Sequence, residues 1–182
     1  REEADDAPPR HLGGEPDRAP ELTPAQQAAV EVLRDGLDHF QVWLLHGVTG
    51  SGKTEVYLRL IGDILQRGGQ VLVLVPEINL TPQLEQRFAA RFPGASLIGL
   101  HSRLSAGERL HHWLLTQSGR GQIVLGTRLA VFTPLPRLKL IIVDEEHDGS
   151  FKQQEGLRYS ARDVAILRAK QAGVPIILGS AT

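Results

Sequence analysis

Residues 47–54 read Gly47-Val48-Thr49-Gly50-Ser51-Gly52-Lys53-Thr54, and no other segment constrains the chain so strongly. Glycines at 47, 50 and 52 let successive backbone N–H groups turn inward on a polyphosphate. A helix that follows aims the positive end of its dipole at the same charge. Lys53 is placed to reach the β- and γ-phosphates, and the Thr54 hydroxyl to ligate Mg2+. The flanks fit: Gln41–His46 reads as a buried strand entering the loop, and Glu55–Ile61 has helical spacing directly after it. A chance glycine-rich turn has no reason to sit in that strand–loop–helix frame.

The second constraint is Leu140-Ile141-Ile142-Val143-Asp144-Glu145-Glu146-His147. An apolar strand delivers carboxylates to the sheet edge, with Asp144 placed to hold Mg2+ and Glu145 to polarise an attacking water. Phosphoryl transfer asks little more of a protein than positioning and charge neutralisation. By itself the cluster also reads as a solvated acidic turn; the phosphate loop upstream favours the catalytic reading. His147 completes an Asp-Glu-Glu-His tetrad and is assigned a coupling role between the nucleotide site and a neighbouring loop.

Between and around these motifs the chain alternates. Strands are expected at 41–46, 71–75, 96–100, 122–126, 138–143 and 174–178, and helices at 24–38, 53–66, 81–91, 105–117 and 160–171. Thr23 is the expected N-cap of the first helix, with Pro24 at its first position. The strands are near-continuous apolar runs, which implies cover on both faces. The expected fold class is therefore α/β: a RecA-like P-loop domain with a mostly parallel sheet and helices on both faces. Ligands of such sheets bind at the carboxyl ends of the strands, where both motifs lie.

Residues 1–20 carry linker composition, rich in Pro, Ala, Gly and acid, and residues 21–182 form the expected folded unit. The chain has 182 residues, 41% of them hydrophobic, enough for one domain with a full core. It starts at Arg1, lacks methionine and stops after an apolar strand, so it reads as a piece of a longer protein. No run approaches the ~20 apolar residues of a membrane span. Cysteine is absent, which rules out disulfides and thiolate metal sites and suits a cytoplasmic protein. The net charge of −1 combines −4 over residues 1–21 with +3 over the remainder, a mildly basic body compatible with nucleic acid.

Four weaker signals each admit two readings. Gln26 offers a donor and an acceptor to an adenine edge, or simply belongs to a helix start. Arg128, after a strand end, contacts phosphate or is solvated. Phe151 and Tyr159 interleave with Lys152 and Arg158, a pattern for stacking bases while cations meet phosphate; the two rings equally could pack the loop down. Ser180 and Thr182 could bond to the acidic cluster and sense hydrolysis, or form an ordinary polar turn.

These residues together resemble the first motor lobe of superfamily 2 helicases, and within them the PriA family of replication-restart helicases (primosomal protein N′). The resemblance covers nearly all of residues 21–182. It rests on Gly47–Tyr57, on Val75-Pro76-Glu77-Ile78 with Leu80-Thr81-Pro82-Gln83, and on Asp144-Glu145-Glu146-His147-Asp148. Its most specific part is Phe151-Lys152-Gln153-Gln154-Glu155-Gly156 with Arg158-Tyr159 and Ala161-Arg162-Asp163. It implies an ATP-dependent motor moving 3′ to 5′ on single-stranded DNA, loading at stalled or repaired forks in the bacterial cytoplasm, with primosome proteins and single-strand-binding protein as partners. By carry-over, Gln26 falls on the adenine-reading position, Thr127 and Arg128 touch the DNA backbone, and the Phe151–Tyr159 loop couples DNA occupancy to turnover. Leu129 stands where this family usually has serine, which removes one hydroxyl from that contact. The resemblance also places the family's zinc-binding insertion and second motor lobe, with its arginine for the ATP site, outside this chain. The segment alone is then expected to bind nucleotide weakly and turn it over poorly. Another superfamily 2 translocase, or a DNA-binding scaffold with a vestigial nucleotide site, remains the alternative.

Overall fold

The computed structural model describes residues 19–48 and 50–181. Most of the expected linker at 1–20, together with Thr49 and Thr182, lies outside the described residues.

Six strands form one parallel sheet: β1 (Val42–His46), β2 (Gln70–Leu74), β3 (Leu97–Leu100), β4 (Ile123–Gly126), β5 (Leu138–Val143) and β8 (Ile176–Ser180). Their spatial order is β1-β8-β5-β2-β4-β3. A two-stranded antiparallel hairpin, β6 (Lys152–Gln153) with β7 (Tyr159–Ser160), stands apart from it. The helices are α1 (Pro24–Asp35), α2 (Lys53–Gln66), α3 (Pro82–Arg91), α4 (Ala106–Gln117) and α5 (Ala161–Ala172).

Side-chain alternation along the central strands sorts the core into two layers. Val71, Val73, Ile123, Leu125, Leu140 and Ile142 face α1, α2 and α3. Leu72, Leu74, Val124, Ile141 and Val143 face the other way, under α4, α5 and the 3-10 turn Arg128–Phe132. Helix cover on both faces thus follows from the unbroken apolar runs of β2, β4 and β5. α5 lies close because Ala161, Ala165 and Ala169 form a stripe of small residues, each fully buried against the sheet.

Three elements depart from the sequence expectation; the first, α1, stops at Asp35 instead of 38, with Gly36 as its C-cap. β1 is not buried. It is an edge strand: Trp43 and Leu45 pack against the α1/α2 layer, but Val42 and Leu44 are 41% and 64% exposed on the opposite face. Being at the sheet edge, β1 lies beyond the cover of α5, which strand sequence alone does not encode. The last strand begins at Ile176, not at Val174, and runs on to Ser180. Pro175 has no N–H to give to a ladder, and β1 supplies partners for Gly179 and Ser180 through Leu45 and His46.

Candidate nucleotide site and neighbouring loops

The site is assembled from the carboxyl ends of β1, β5 and β8. β1 feeds the glycine loop, in which Gly50 and Gly52 both take φ of +83°, a left-handed conformation open to glycine at little cost. Gly52 is also the N-cap of α2, and no side chain caps that helix start, so its first N–H groups face the loop. Lys53 opens α2 and donates from Nζ to the Gly47 carbonyl at 2.7 Å. The same ammonium lies 3.4 Å from Glu145 Oε1.

Glu145 is held there by an unusual backbone. Its φ of +49° makes it the one non-glycine residue with positive φ among the described residues. Strain of this kind persists where surrounding structure over-determines it and clusters at functional sites. The turn aims Glu145 at Lys53, and His147 Nε2 approaches its other oxygen at 3.8 Å. Glu146 points elsewhere and pairs with Arg162 of α5 at 2.9 Å.

Asp144 directly follows β5 and receives a hydrogen bond from the Tyr57 hydroxyl at 2.9 Å. Burial pushes the Asp144 carboxyl above the usual carboxylate range; Tyr57 and Lys53 pull it back, while the Glu145 charge adds to the rise. Tyr57 is 2% exposed, and burial followed by the Asp144 charge drives its phenol strongly upward, so it stays a donor. A Cβ at Gly179 would collide with the Tyr57 hydroxyl and crowd Asp144, so this approach requires glycine there. The Gly179 carbonyl accepts from Glu146 N at 2.8 Å, and the Ser180 carbonyl from Gly47 N at 3.0 Å. The Gly179–Ser180 segment is therefore wedged between glycine loop and acidic turn, and Ser180 is a buried strand residue, not part of a polar turn.

Sequence spacing carries a signal for Tyr57: it is four residues after Lys53, on the same face of α2. Glu55 is another such residue. It is 4% exposed and takes two bonds from Arg91 of α3, each 2.8 Å, plus one from Arg59 at 3.0 Å. Burial alone would raise its pKa, but the two guanidiniums outweigh that and hold it below the usual range.

Gln26 lies against the glycine loop with both amide ends engaged. Its Oε1 accepts from Thr23 N at 2.9 Å, completing a capping box, and its Nε2 donates to the Ser51 carbonyl at 3.0 Å. One amide N–H and one oxygen lone pair are left over for an adenine edge.

The second group of expected residues gathers beyond β4. Thr127 is buried. Arg128 donates from Nη1 to the carbonyls of Ser150 and Lys152, both at 3.2 Å, tying the turn after β4 to the segment before β6. Phe151 does not offer its ring to a base: it is 2% exposed, in the α5-side core, and anchors the loop. Tyr159 packs edge-on against Phe132, ring centres 5.1 Å apart. Lys152 and Arg158 are exposed, as is Leu157 at the hairpin tip.

The donor set fits a triphosphate with a divalent cation. An uncapped helix start and one ammonium meet phosphate, and a carboxylate desolvated beside a second one calls for a cation. Among the described residues no group of three or more His, Cys, Asp or Glu could hold a metal by itself. That suits Mg2+, which relies on one or two protein ligands, water and phosphate oxygens.

Comparison with known proteins gives the family and the fold. The sequence model for the DEAD/DEAH box helicase family matches residues 23–182. The chain belongs to that family. Its bacterial relatives include the Replication restart protein PriA of Synechocystis sp., 59% identical over 166 residues, which are 91% of this chain and 20% of that protein. The protein of the same name in Bacillus subtilis is 49% identical over 163 residues, 88% of this chain and 20% of the relative. The chain thus spans about a fifth of the length of the curated relatives it matches. Among solved structures, that of RecG bound to a three-way DNA junction superposes with a TM-score of 0.68 at 26% identity, over 89% of this chain and 21% of that one. The UvsW helicase of bacteriophage T4 shares the fold, with a TM-score of 0.58 at 18% identity over 91% of this chain and 54% of that one. The fold is the RecA-like one of helicase motor lobes, and a helicase domain of this family uses nucleotide. No helix among the described residues is long and apolar enough to cross a membrane.

Proposed function

We propose that this chain is the ATP-binding first motor lobe of a 3′–5′ DNA helicase that restarts replication at stalled or repaired forks in the bacterial cytoplasm. The observation that carries the reading is the convergence on one point of Lys53, bonded to Gly47 and paired with Glu145, beside Asp144 held by Tyr57. In this reading the backbone of Gly47–Thr54 and the Lys53 ammonium hold the phosphates, and Gln26 reads the adenine. Thr54 and Asp144 hold Mg2+, and Glu145 orients the water. Bound Mg2+ would supply charge neutralisation at the phosphates. Single-stranded and forked DNA is the substrate, met by Thr127, Arg128, Lys152 and Arg158. His147, Ser180 and Thr182 couple that contact to the nucleotide, and the loop anchored by Phe151 and Tyr159 carries it. The identity to replication restart proteins supports this assignment over a scaffold with a vestigial site, as does the presence of Lys53, Thr54, Asp144 and Glu145 together. Primosome proteins and single-strand-binding protein are the partners it implies, and the family's zinc is bound by ligands outside this chain.

The deciding experiment replaces Lys53 by Ala in the complete protein. DNA binding should persist while unwinding and DNA-stimulated ATP hydrolysis fall at least a hundredfold. Unwinding at the original level would reject the motor and leave the scaffold.

A further inference from the structure

Glu145 keeps a left-handed backbone, φ +49°, without being glycine. Such a conformation lasts only where the surroundings impose it from several sides. Backbone bonds do part of this. Asp144 N donates to the Leu74 carbonyl at 2.9 Å, and Glu146 N to the Gly179 carbonyl at 2.8 Å. These tie the two neighbours of Glu145 to the ends of β2 and β8. Asp148 N closes the turn itself, donating to the Glu145 carbonyl at 2.8 Å. A side chain supplies the remaining constraint. Arg162, in the first turn of α5, donates from Nη1 to Glu146 Oε2 at 2.9 Å. Its Nε donates to Asp163 Oδ1 at 3.0 Å, which fixes the plane of the guanidinium. The Glu146 side chain is 17% exposed, so this carboxylate is largely sheltered from water. Glu146 and Arg162 are 16 residues apart in sequence. The segment between them carries Phe151, the β6–β7 hairpin and the Ser160 N-cap of α5. The pair closes that segment at its base, one residue from Glu145.

We propose that Arg162 is a positioning residue for nucleotide hydrolysis: by clasping Glu146 it holds the turn that keeps Glu145 on Lys53. The inference rests on the motor reading above and names a residue that itself touches neither phosphate, metal nor DNA. Without the clasp the Glu146 side chain is free to rotate, and backbone bonds alone oppose relaxation of residue 145 out of the left-handed region. The Glu145 carboxylate, now 3.4 Å from the Lys53 ammonium, would then swing away from the place where it orients water. A misplacement of about 1 Å at a reacting centre costs up to about a hundredfold in rate. A direct DNA contact by Arg162 is the poorer account of the geometry, because a backbone phosphate would compete with two carboxylates already bonded to this guanidinium. A surface pair by itself adds little to global stability, so the effect of this one is expected in turnover and not in the melt.

The test measures steady-state ATP hydrolysis with single-stranded DNA in the complete protein, beside equilibrium binding of a non-hydrolysable ATP analogue and of oligo(dT). Arg162→Ala should lower kcat about 10- to 100-fold, the loss expected when an orienting partner is removed. KM for ATP and the Kd values for analogue and oligo(dT) should stay within about twofold, because the glycine loop and Lys53 are untouched. Glu146→Gln should lose as much, and the double variant no more than either single one, since both delete the same contact. Arg162→Lys should recover most of the turnover, which separates a lost clasp from a damaged helix start. Asp163→Ala, which leaves the Glu146 pair in place, should keep kcat. An unchanged kcat in Arg162→Ala, additive losses in the double variant, or a loss confined to KM or to DNA affinity would overturn the clasp and leave the motor reading standing. If the unsubstituted protein shows no DNA-stimulated hydrolysis, the motor reading falls and the clasp with it.

Discussion

Tyr57 shows how much a single hydroxyl can determine at this site. It joins three motifs at once: it lies on the helix after the glycine loop, donates to Asp144, and fits only because residue 179 is glycine. A bond donated to a carboxylate favours its charged form, so Tyr57 opposes the desolvation that raises Asp144. Tyr57→Phe keeps the buried ring and deletes the bond. The expected stability loss is about 1 kcal/mol, that of one hydrogen bond. The expected functional effect is larger. Partners that orient a metal ligand contribute about 10–100-fold to metal affinity, so stabilisation by nucleotide should need at least tenfold more Mg2+. Thermal melts across an Mg2+ series test this, and an unchanged Mg2+ midpoint would reduce Tyr57 to packing. At this scale the sequence was legible where chemistry is carried by adjacent residues. Lys53, Asp144 and Glu145 could be placed from their motifs alone. Phe151 could not, because stacking outward and packing inward use the same aromatic residue, and only tertiary contact decides between them.

Elements were legible for a related reason. Apolar runs such as Val71–Leu74 and Leu140–Val143 encode burial on both faces locally, so the strands and helices of the sheet fall close to their expected bounds. The β6–β7 hairpin, with two residues per strand, carries no periodicity to read. The exposure of β1 depends on strand order, a non-local property. Ties between elements were equally hidden. Glu55 joins α2 to α3 through Arg91, side chains 5% and 11% exposed. Removing one partner of such a pair leaves a buried charge, so Arg91→Ala should cost about 3 kcal/mol by denaturant unfolding. The pH dependence has a definite sign. The two guanidiniums hold the folded pKa of Glu55 below that of a free glutamate carboxyl, so its stabilisation is full above the ordinary glutamate range and is lost as pH falls through the folded value. Glu55→Gln should flatten that part of the stability–pH curve. Arg128 makes a weaker tie, two bonds onto a loop. Arg128→Ala should leave the global melt nearly unchanged yet speed amide exchange across residues 149–160, equivalent to about 1–3 kcal/mol of local opening.

For the whole molecule, glycine loop and acidic turn are fixed by one parallel sheet, through β1, β8 and β5 side by side. A ligand bridging them binds the folded state alone, so it must raise stability by mass action. At a hundredfold excess over its Kd the gain is about 2.7 kcal/mol, or roughly 5–10 °C in Tm for a domain of this size. A non-hydrolysable ATP analogue with Mg2+ should produce that shift in this chain, and Lys53→Ala should abolish it while leaving the unliganded Tm within a few degrees. Turnover is a separate matter. The cations paired with the acidic turn are Lys53 on Glu145 and Arg162 on Glu146, and Arg162 is also engaged by Asp163. A transition state spreading charge over the transferred phosphoryl group gains most from a further arginine. The family resemblance assigns that arginine to a second lobe. The chain by itself should therefore bind nucleotide and melt higher without hydrolysing it at an appreciable rate, even with single-stranded DNA. Robust DNA-stimulated hydrolysis by these residues alone would mean that the lobe already contains a complete catalytic set, and that Lys53 and the acidic turn need no cation from elsewhere.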